Sequence, residues 1–220
     1  MSKTHTKPEP TRSSNLGFLA IVGALVAGGL LLVLFAATGV APDDTNAQTS
    51  TVELSGTPLV QMPPNTPVTD LNTDPVAGLI APTIQGTDFD DASISIADDG
   101  RPKVIYFLAH WCPHCQAEVP VIQDLLTTGA LPDGVDIYAV STGVNPGQDN
   151  YPPQAWLTEE GFEPITVRDS EQGEAFTAFG GSGFPYAVYL DSGHRVIARS
   201  AGTLEADQIA QLWEMAAASG

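Results

Sequence analysis

A chain of 220 residues is long enough for one domain of ordinary size plus appendages. It carries 26 acidic against 8 basic side chains, a formal net charge of −18. A surface of that sign repels nucleic acid and anionic lipid headgroups, and fits a solubility trait of an exported or salt-adapted protein.

The charge is unevenly placed. Lys3, Lys7 and Arg12 lie in the first fifteen residues, whereas Leu16 to Val40 is almost wholly apolar and uncharged. As a helix these residues would reach about 37 Å, enough to cross a hydrocarbon core of about 30 Å with some tilt. Basic residues before the span, with Asp43 and Asp44 after it, predict a cytoplasmic N-terminus and an extracytoplasmic remainder. A cleaved signal peptide is the competing reading, but its apolar region is normally shorter. The predicted organisation is a cytoplasmic tail over 1–15, a transmembrane helix over 16–40, a flexible Pro/Thr-rich linker over 41–75 and a folded domain over 76–220.

Within that domain, residues 81–84 and 93–96 read as short strands around an acidic turn, and Val104 to Leu108 as a central strand buried on both faces. A helix over 113–128, a strand over 135–140, a helix near 154–160, a strand over 165–167 and a short helix over 171–179 follow. Residues 186–190 and 196–200 form a hairpin whose turn exposes His194. An amphipathic helix over 204–217 closes the chain with Leu204, Ile209, Leu212 and Trp213 inward. The order β-β-β-α-β-α-β-α-β-β-α predicts a central mixed sheet with helices on both faces.

Cys112 and Cys115, the only cysteines, stand between the apolar strand and the helix that follows it. At a helix N-terminus, free N–H groups and the helix dipole favour a thiolate at Cys112, and Cys115 lies one turn on within bonding reach. A purely structural disulfide would close only a four-residue loop and constrain little chain entropy. Pro113 suits the first helical turn, where its missing N–H is no loss. His114 brings a donor or a positive charge beside Cys112, which lowers a thiol pKa, while Glu118 acts in the opposite sense if it lies close. His110, Cys112, His114 and Cys115 are soft-metal ligand types, but four of them in six residues converge poorly on a tetrahedral ion. No metal or other cofactor is expected.

These residues carry a resemblance. Trp111-Cys112-x-x-Cys115-x-x-Glu118-x-Pro120, with Gly183-Phe184-Pro185 before a strand and Gly202 after the hairpin, is similar to the thioredoxin-fold thiol-disulfide oxidoreductases of the membrane-anchored TlpA/ResA type. The resemblance covers roughly 76–217 and implies an α/β, thioredoxin-like, three-layer fold behind an N-terminal transmembrane helix. It implies that Cys112 attacks and Cys115 resolves, that Trp111, Pro113, His114 and Glu118 tune the pair, and that Phe184 and a cis Pro185 receive an extended substrate.

Two departures stand out. The Pro113-His114 dipeptide is typical of the DsbA oxidases, and Tyr106 replaces the aspartate that cytosolic thioredoxins bury six residues before the first cysteine. The scaffold leans toward a reductase and the dipeptide toward an oxidase. The implied clients are exported cysteine-containing proteins, apocytochrome c or folding clients among them, together with a membrane redox partner that recycles the pair. A copper- or other metal-handling thiol protein is the alternative from a different class.

Overall fold

The computed structural model describes residues 48–63, 66–69 and 73–219. The expected cytoplasmic tail and transmembrane helix therefore lie outside the described residues. Among the described residues no helix is long and apolar enough to cross a membrane.

Among the described residues twelve elements follow one another: β1 (Glu53–Ser55), β2 (Thr83–Thr87), β3 (Ser93–Ile96), β4 (Lys103–Leu108), α1 (Pro113–Thr127), β5 (Asp136–Ser141), α2 (Pro153–Glu159), β6 (Ile165–Arg168), α3 (Glu174–Ala178), β7 (Tyr186–Leu190), β8 (Val196–Ala201) and α4 (Ala206–Ala218). From β2 onward this is the predicted order.

The main sheet runs β6-β5-β4-β7-β8, with β4, β5 and β6 parallel and β7 and β8 antiparallel to their neighbours. All six residues of β4 are buried, as an uninterrupted apolar run in a central strand requires. Side chains alternate across it. Val104, Tyr106 and Leu108 pack with α1, α2 and α4 through Val119, Ile122, Trp156, Leu157, Ile209 and Trp213. Ile105 and Phe107 face the opposite layer, where Ile84, Ile96, Ala175 and Phe179 close the core. The result is the predicted three-layer arrangement around a mixed sheet.

The segment before residue 76 departs from the expected linker. Residues 53–55 form β1, paired antiparallel with β2, and Val52, Leu59 and Met62 are buried. Leu59 N–H donates to the Ala178 carbonyl and Met62 N–H to that of Gly180, both at 2.8 Å. Val68 bridges to Ser200, so this stretch covers part of the otherwise open β8 edge. Behind it the guanidinium of Arg199 and the carboxylate of Asp74 form an ion pair at 2.7 Å with both side chains fully buried. Burial alone raises the Asp74 pKa, but hydrogen bonds from Arg199, Thr69 and the Val76 N–H hold it below the usual carboxylate value. Val52, Leu54, Leu59, Val60 and Met62 follow no helical or strand period, and the partner that fixes Asp74 lies 125 positions away.

His194 is the second correction. It is buried rather than exposed, because residues 76–82 lie against its hairpin. Its Nε2 donates to the Pro82 carbonyl at 3.1 Å, and the Ala81 N–H donates to its own carbonyl at 2.9 Å.

Candidate active site

The C-terminal end of β4 delivers Ala109, His110 and Trp111 to the start of α1. Cys112 is the N-cap, with extended backbone (φ −77°, ψ 119°), and Pro113 opens the helix. No side chain caps this end and no acidic residue occupies its first turn. The N-terminal N–H groups are therefore available to the Cys112 sulfur itself.

Both cysteines are free thiols, Cys112 7% exposed and Cys115 fully buried. The Cys112 thiol is lowered to about 5. The Cys115 thiol donates to its sulfur, the Cys115 and His114 backbone N–H groups add to this, and the His114 imidazole contributes favourable charge, together outweighing burial. The Cys115 thiol is pushed far upward, because its proton is held in that hydrogen bond, its surroundings are apolar and Glu118 lies within electrostatic reach. The two thiols are thus split into one that ionises readily and one that keeps its proton.

Glu118, one turn beyond Cys115 and 2% exposed, is not on a solvated helix face. Burial raises its pKa to about 7, against the opposing hydrogen bond from the Leu204 N–H to Oε2 at 2.7 Å. Tyr106 is fully buried nearby, its hydroxyl accepting from Trp213 Nε1 at 3.0 Å.

The opposite wall is the loop before β7. The Phe184–Pro185 peptide is cis, as the resemblance implied. The Phe184 carbonyl lies 3.6 Å from the Cys112 sulfur, which donates to it when protonated. The Phe184 ring packs on Phe176 (centroids 4.6 Å apart) and meets Trp111 edge-on at 5.9 Å. Trp111 is fixed in turn by donating Nε1–H to the Gly143 carbonyl at 2.7 Å.

His110 and His114 separate sharply. The His110 ring accepts the Asn145 N–H at Nε2 (3.1 Å) and donates from Nδ1 to the Asp149 carbonyl (2.7 Å), so it pins the 143–151 loop as a neutral imidazole. Burial lowers its pKa, in keeping with that form. Both ring nitrogens are occupied, and neither is offered to a metal shared with the thiols. Among the described residues no group of three or more His, Cys, Asp and Glu side chains is placed to hold a metal ion. His114 is exposed, with Nδ1 3.1 Å from the Thr203 hydroxyl.

The structure therefore gathers Trp111, Cys112, Pro113, His114, Cys115, Glu118, Phe184 and Pro185 into one place. Sequence reasoning missed the turn that joins β8 to α4. Gly202 N–H donates to the Pro185 carbonyl at 2.8 Å, Thr203 meets His114, and Leu204 N–H holds Glu118. Gly202 itself was legible in the pattern, but its neighbours reach partners 86 and 89 positions away.

The sequence profile of the AhpC/TSA family matches residues 77–210, more than half of the chain. The chain belongs to the AhpC/TSA family. The chain shares 31% identity over 122 residues with the thiol:disulfide interchange protein HelX of Rhodobacter capsulatus. The alignment covers 55% of this chain and 62% of HelX, less than two thirds of that protein's length. StoA from Bacillus subtilis superposes with a TM-score of 0.51 at 19% identity, over 63% of this chain and 98% of StoA. A thioredoxin-family thiol:disulfide interchange protein from Chlorobium tepidum gives 0.52 at 21% identity, over 62% and 94%. At these identities the two structures establish the thioredoxin-like fold.

Proposed function

We propose that this AhpC/TSA-family chain is a membrane-anchored, extracytoplasmic thiol-disulfide oxidoreductase that exchanges disulfides with cysteines of exported proteins. The observation that carries the reading is the placement of the two free thiols: Cys112 at the N-cap of α1, 3.6 Å from the carbonyl of the cis Phe184–Pro185 peptide, and Cys115 fully buried one turn behind it.

In the reductive direction the Cys112 thiolate attacks one sulfur of a client disulfide. A Cys112–client disulfide forms, and the other client sulfur leaves as a thiolate that takes a proton from solvent. Cys115 then loses its proton to a base, attacks the Cys112 sulfur, and expels the second client sulfur. The client gains two electrons and two protons as a dithiol, and the protein is left with the Cys112–Cys115 disulfide. Glu118, buried, one turn beyond Cys115 and with a pKa of about 7 that suits proton exchange near neutrality, is the group to which this reading assigns the role of base. Phe184 and Trp111 supply the apolar wall against which an extended client lies, beside the Phe184 backbone. A membrane donor must restore the dithiol after each cycle.

The reverse reaction is the second reading, and the low Cys112 pKa favours it. A thiolate stable at neutral pH stabilises the reduced protein, which makes the disulfide a stronger oxidant. The uncharged span at 16–40 supports the anchored, exported setting, and the similarity to a named interchange protein supports the exchange chemistry.

Expressing the full chain with Cys115→Ser tests the exchange, because a mixed disulfide on Cys112 then has no resolving thiol. Covalent, reductant-sensitive adducts with exported cysteine proteins are expected. Their absence, with Cys112 free and reactive, would overturn the reading. Direction follows from the state of the pair in the cell: predominantly dithiol for a reductase, predominantly disulfide for an oxidase.

A further inference from the structure

Three consecutive residues of the turn between β8 and α4, Gly202, Thr203 and Leu204, each touch a different part of the candidate site. Gly202 N–H donates to the Pro185 carbonyl at 2.8 Å, Thr203 Oγ1 lies 3.1 Å from His114 Nδ1, and Leu204 N–H donates to Glu118 at 2.7 Å. The turn is held from both sides. Gly202 has φ +89°, a left-handed conformation that other residues adopt only with strain, and Leu204 is buried. Thr203, exposed between these two fixed neighbours, has little freedom to move away from His114.

We propose that Thr203 is a positioning residue, holding the His114 imidazole at the N-terminus of α1 through the Nδ1–Oγ1 hydrogen bond and so setting the redox poise of the Cys112–Cys115 pair. The inference rests on the thiol-disulfide reading above. An unanchored histidine on an exposed helix start samples several rotamers, most of them turned toward water, where its charge is screened. The Thr203 hydroxyl can accept from an Nδ1–H or donate to a bare Nδ1, so the contact holds the ring in one orientation in either case. The groups acting on the Cys112 sulfur are the Cys115 thiol, the Cys115 and His114 N–H groups, the His114 ring and, across the site, the Phe184 carbonyl at 3.6 Å. Of these, the His114 ring is the one that Thr203 touches.

The test is the titration of Cys112 in the reduced full-length protein, followed by thiolate absorbance. Replacing Thr203 with Val should raise the midpoint by roughly 0.5 unit, the hydrogen bond being a modest and solvent-exposed one. In a glutathione equilibrium this is about three-fold in favour of the disulfide, or about 15 mV toward more negative potential. Thr203→Ser keeps the hydroxyl and should restore the wild-type values. Thr203→Ala should reproduce the Val result without a β-branched side chain. In a His114→Ala background neither Thr203→Val nor Thr203→Ala should shift the midpoint further. An unchanged midpoint in the single variants, or an equal shift in the His114→Ala background, would overturn the proposal. Because the titration needs no client, its outcome is separate from that of the exchange reading, which falls if the wild-type pair fails to exchange with any dithiol.

Discussion

The Glu118 carboxylate accepts the Leu204 backbone N–H at 2.7 Å, one helical turn beyond Cys115 and sealed from solvent. One hydrogen bond is thin solvation for a buried carboxylate, so its neutral form is favoured and its pKa stands at about 7. A carboxyl within electrostatic reach of the less reactive thiol thus changes charge near neutral pH.

Stability should report this directly in the oxidised protein, where neither cysteine titrates. A carboxyl raised from 4.5 to about 7 on folding makes the native state bind more protons than the unfolded state in between. Stability is therefore fully present below about pH 4.5 and falls as pH rises through about 7, by about 3 kcal/mol in all. Glu118→Gln keeps an acceptor for Leu204 and removes the titration. Urea denaturation at pH 5 and pH 8 should show the wild type losing stability that the variant retains.

The two thiols should alkylate on separate scales. With Cys112 lowered to about 5 and Cys115 raised, iodoacetamide at neutral pH should label Cys112 alone. The rate should rise to half its plateau near pH 5. In Cys115→Ser the thiol donor to Cys112 becomes a hydroxyl, and the midpoint should stay well below that of an ordinary cysteine because the His114 and Cys115 backbone N–H groups remain.

The aromatic wall depends on a close approach. A Cβ on Gly181 would lie 2.1 Å from the Phe176 ring, which carries Phe184 at 4.6 Å. Gly181→Ala should therefore displace Phe176, destabilise the protein by about 1–3 kcal/mol, and raise KM for peptide disulfides more than it lowers kcat. Thermal unfolding and peptide-reduction kinetics check the two halves.

The Arg199–Asp74 pair makes residues before 76 part of the domain. Replacing Asp74 with Ala leaves a fully buried guanidinium without its counter-charge, and a loss of about 3–5 kcal/mol is expected in urea unfolding. A domain cut at residue 76 should suffer similarly.

Legibility in the sequence followed the range of the forces involved. The apolar run 104–108, the Cys-x-x-Cys spacing and the proline after Phe184 are local signals, and each maps onto the element expected of it. The packing of Val52, Leu59 and Met62 was hidden because the apolar residues around them follow no period, and Asp74 reads as a linker residue until Arg199 is seen beside it. His194 looked like a turn residue because the segment that covers it comes from more than a hundred positions earlier. Glu118 was legible as a residue near the thiols. Its burial was not, since it depends on α4 and the turn before it. His110 offered two ligand nitrogens on paper, and both are committed to backbone groups of the 143–151 loop.

The central claim is that Cys112 and Cys115 form a disulfide that opens and closes reversibly. Equilibrating the full-length protein across a series of glutathione redox buffers, then quantifying the pair by thiol alkylation and mass, tests it most directly. A reversible two-electron transition is expected, lost in Cys112→Ser and Cys115→Ser and lying between the values of about −270 mV typical of thioredoxin and about −120 mV typical of DsbA. A pair that stays fully reduced or fully oxidised across the whole series would contradict it.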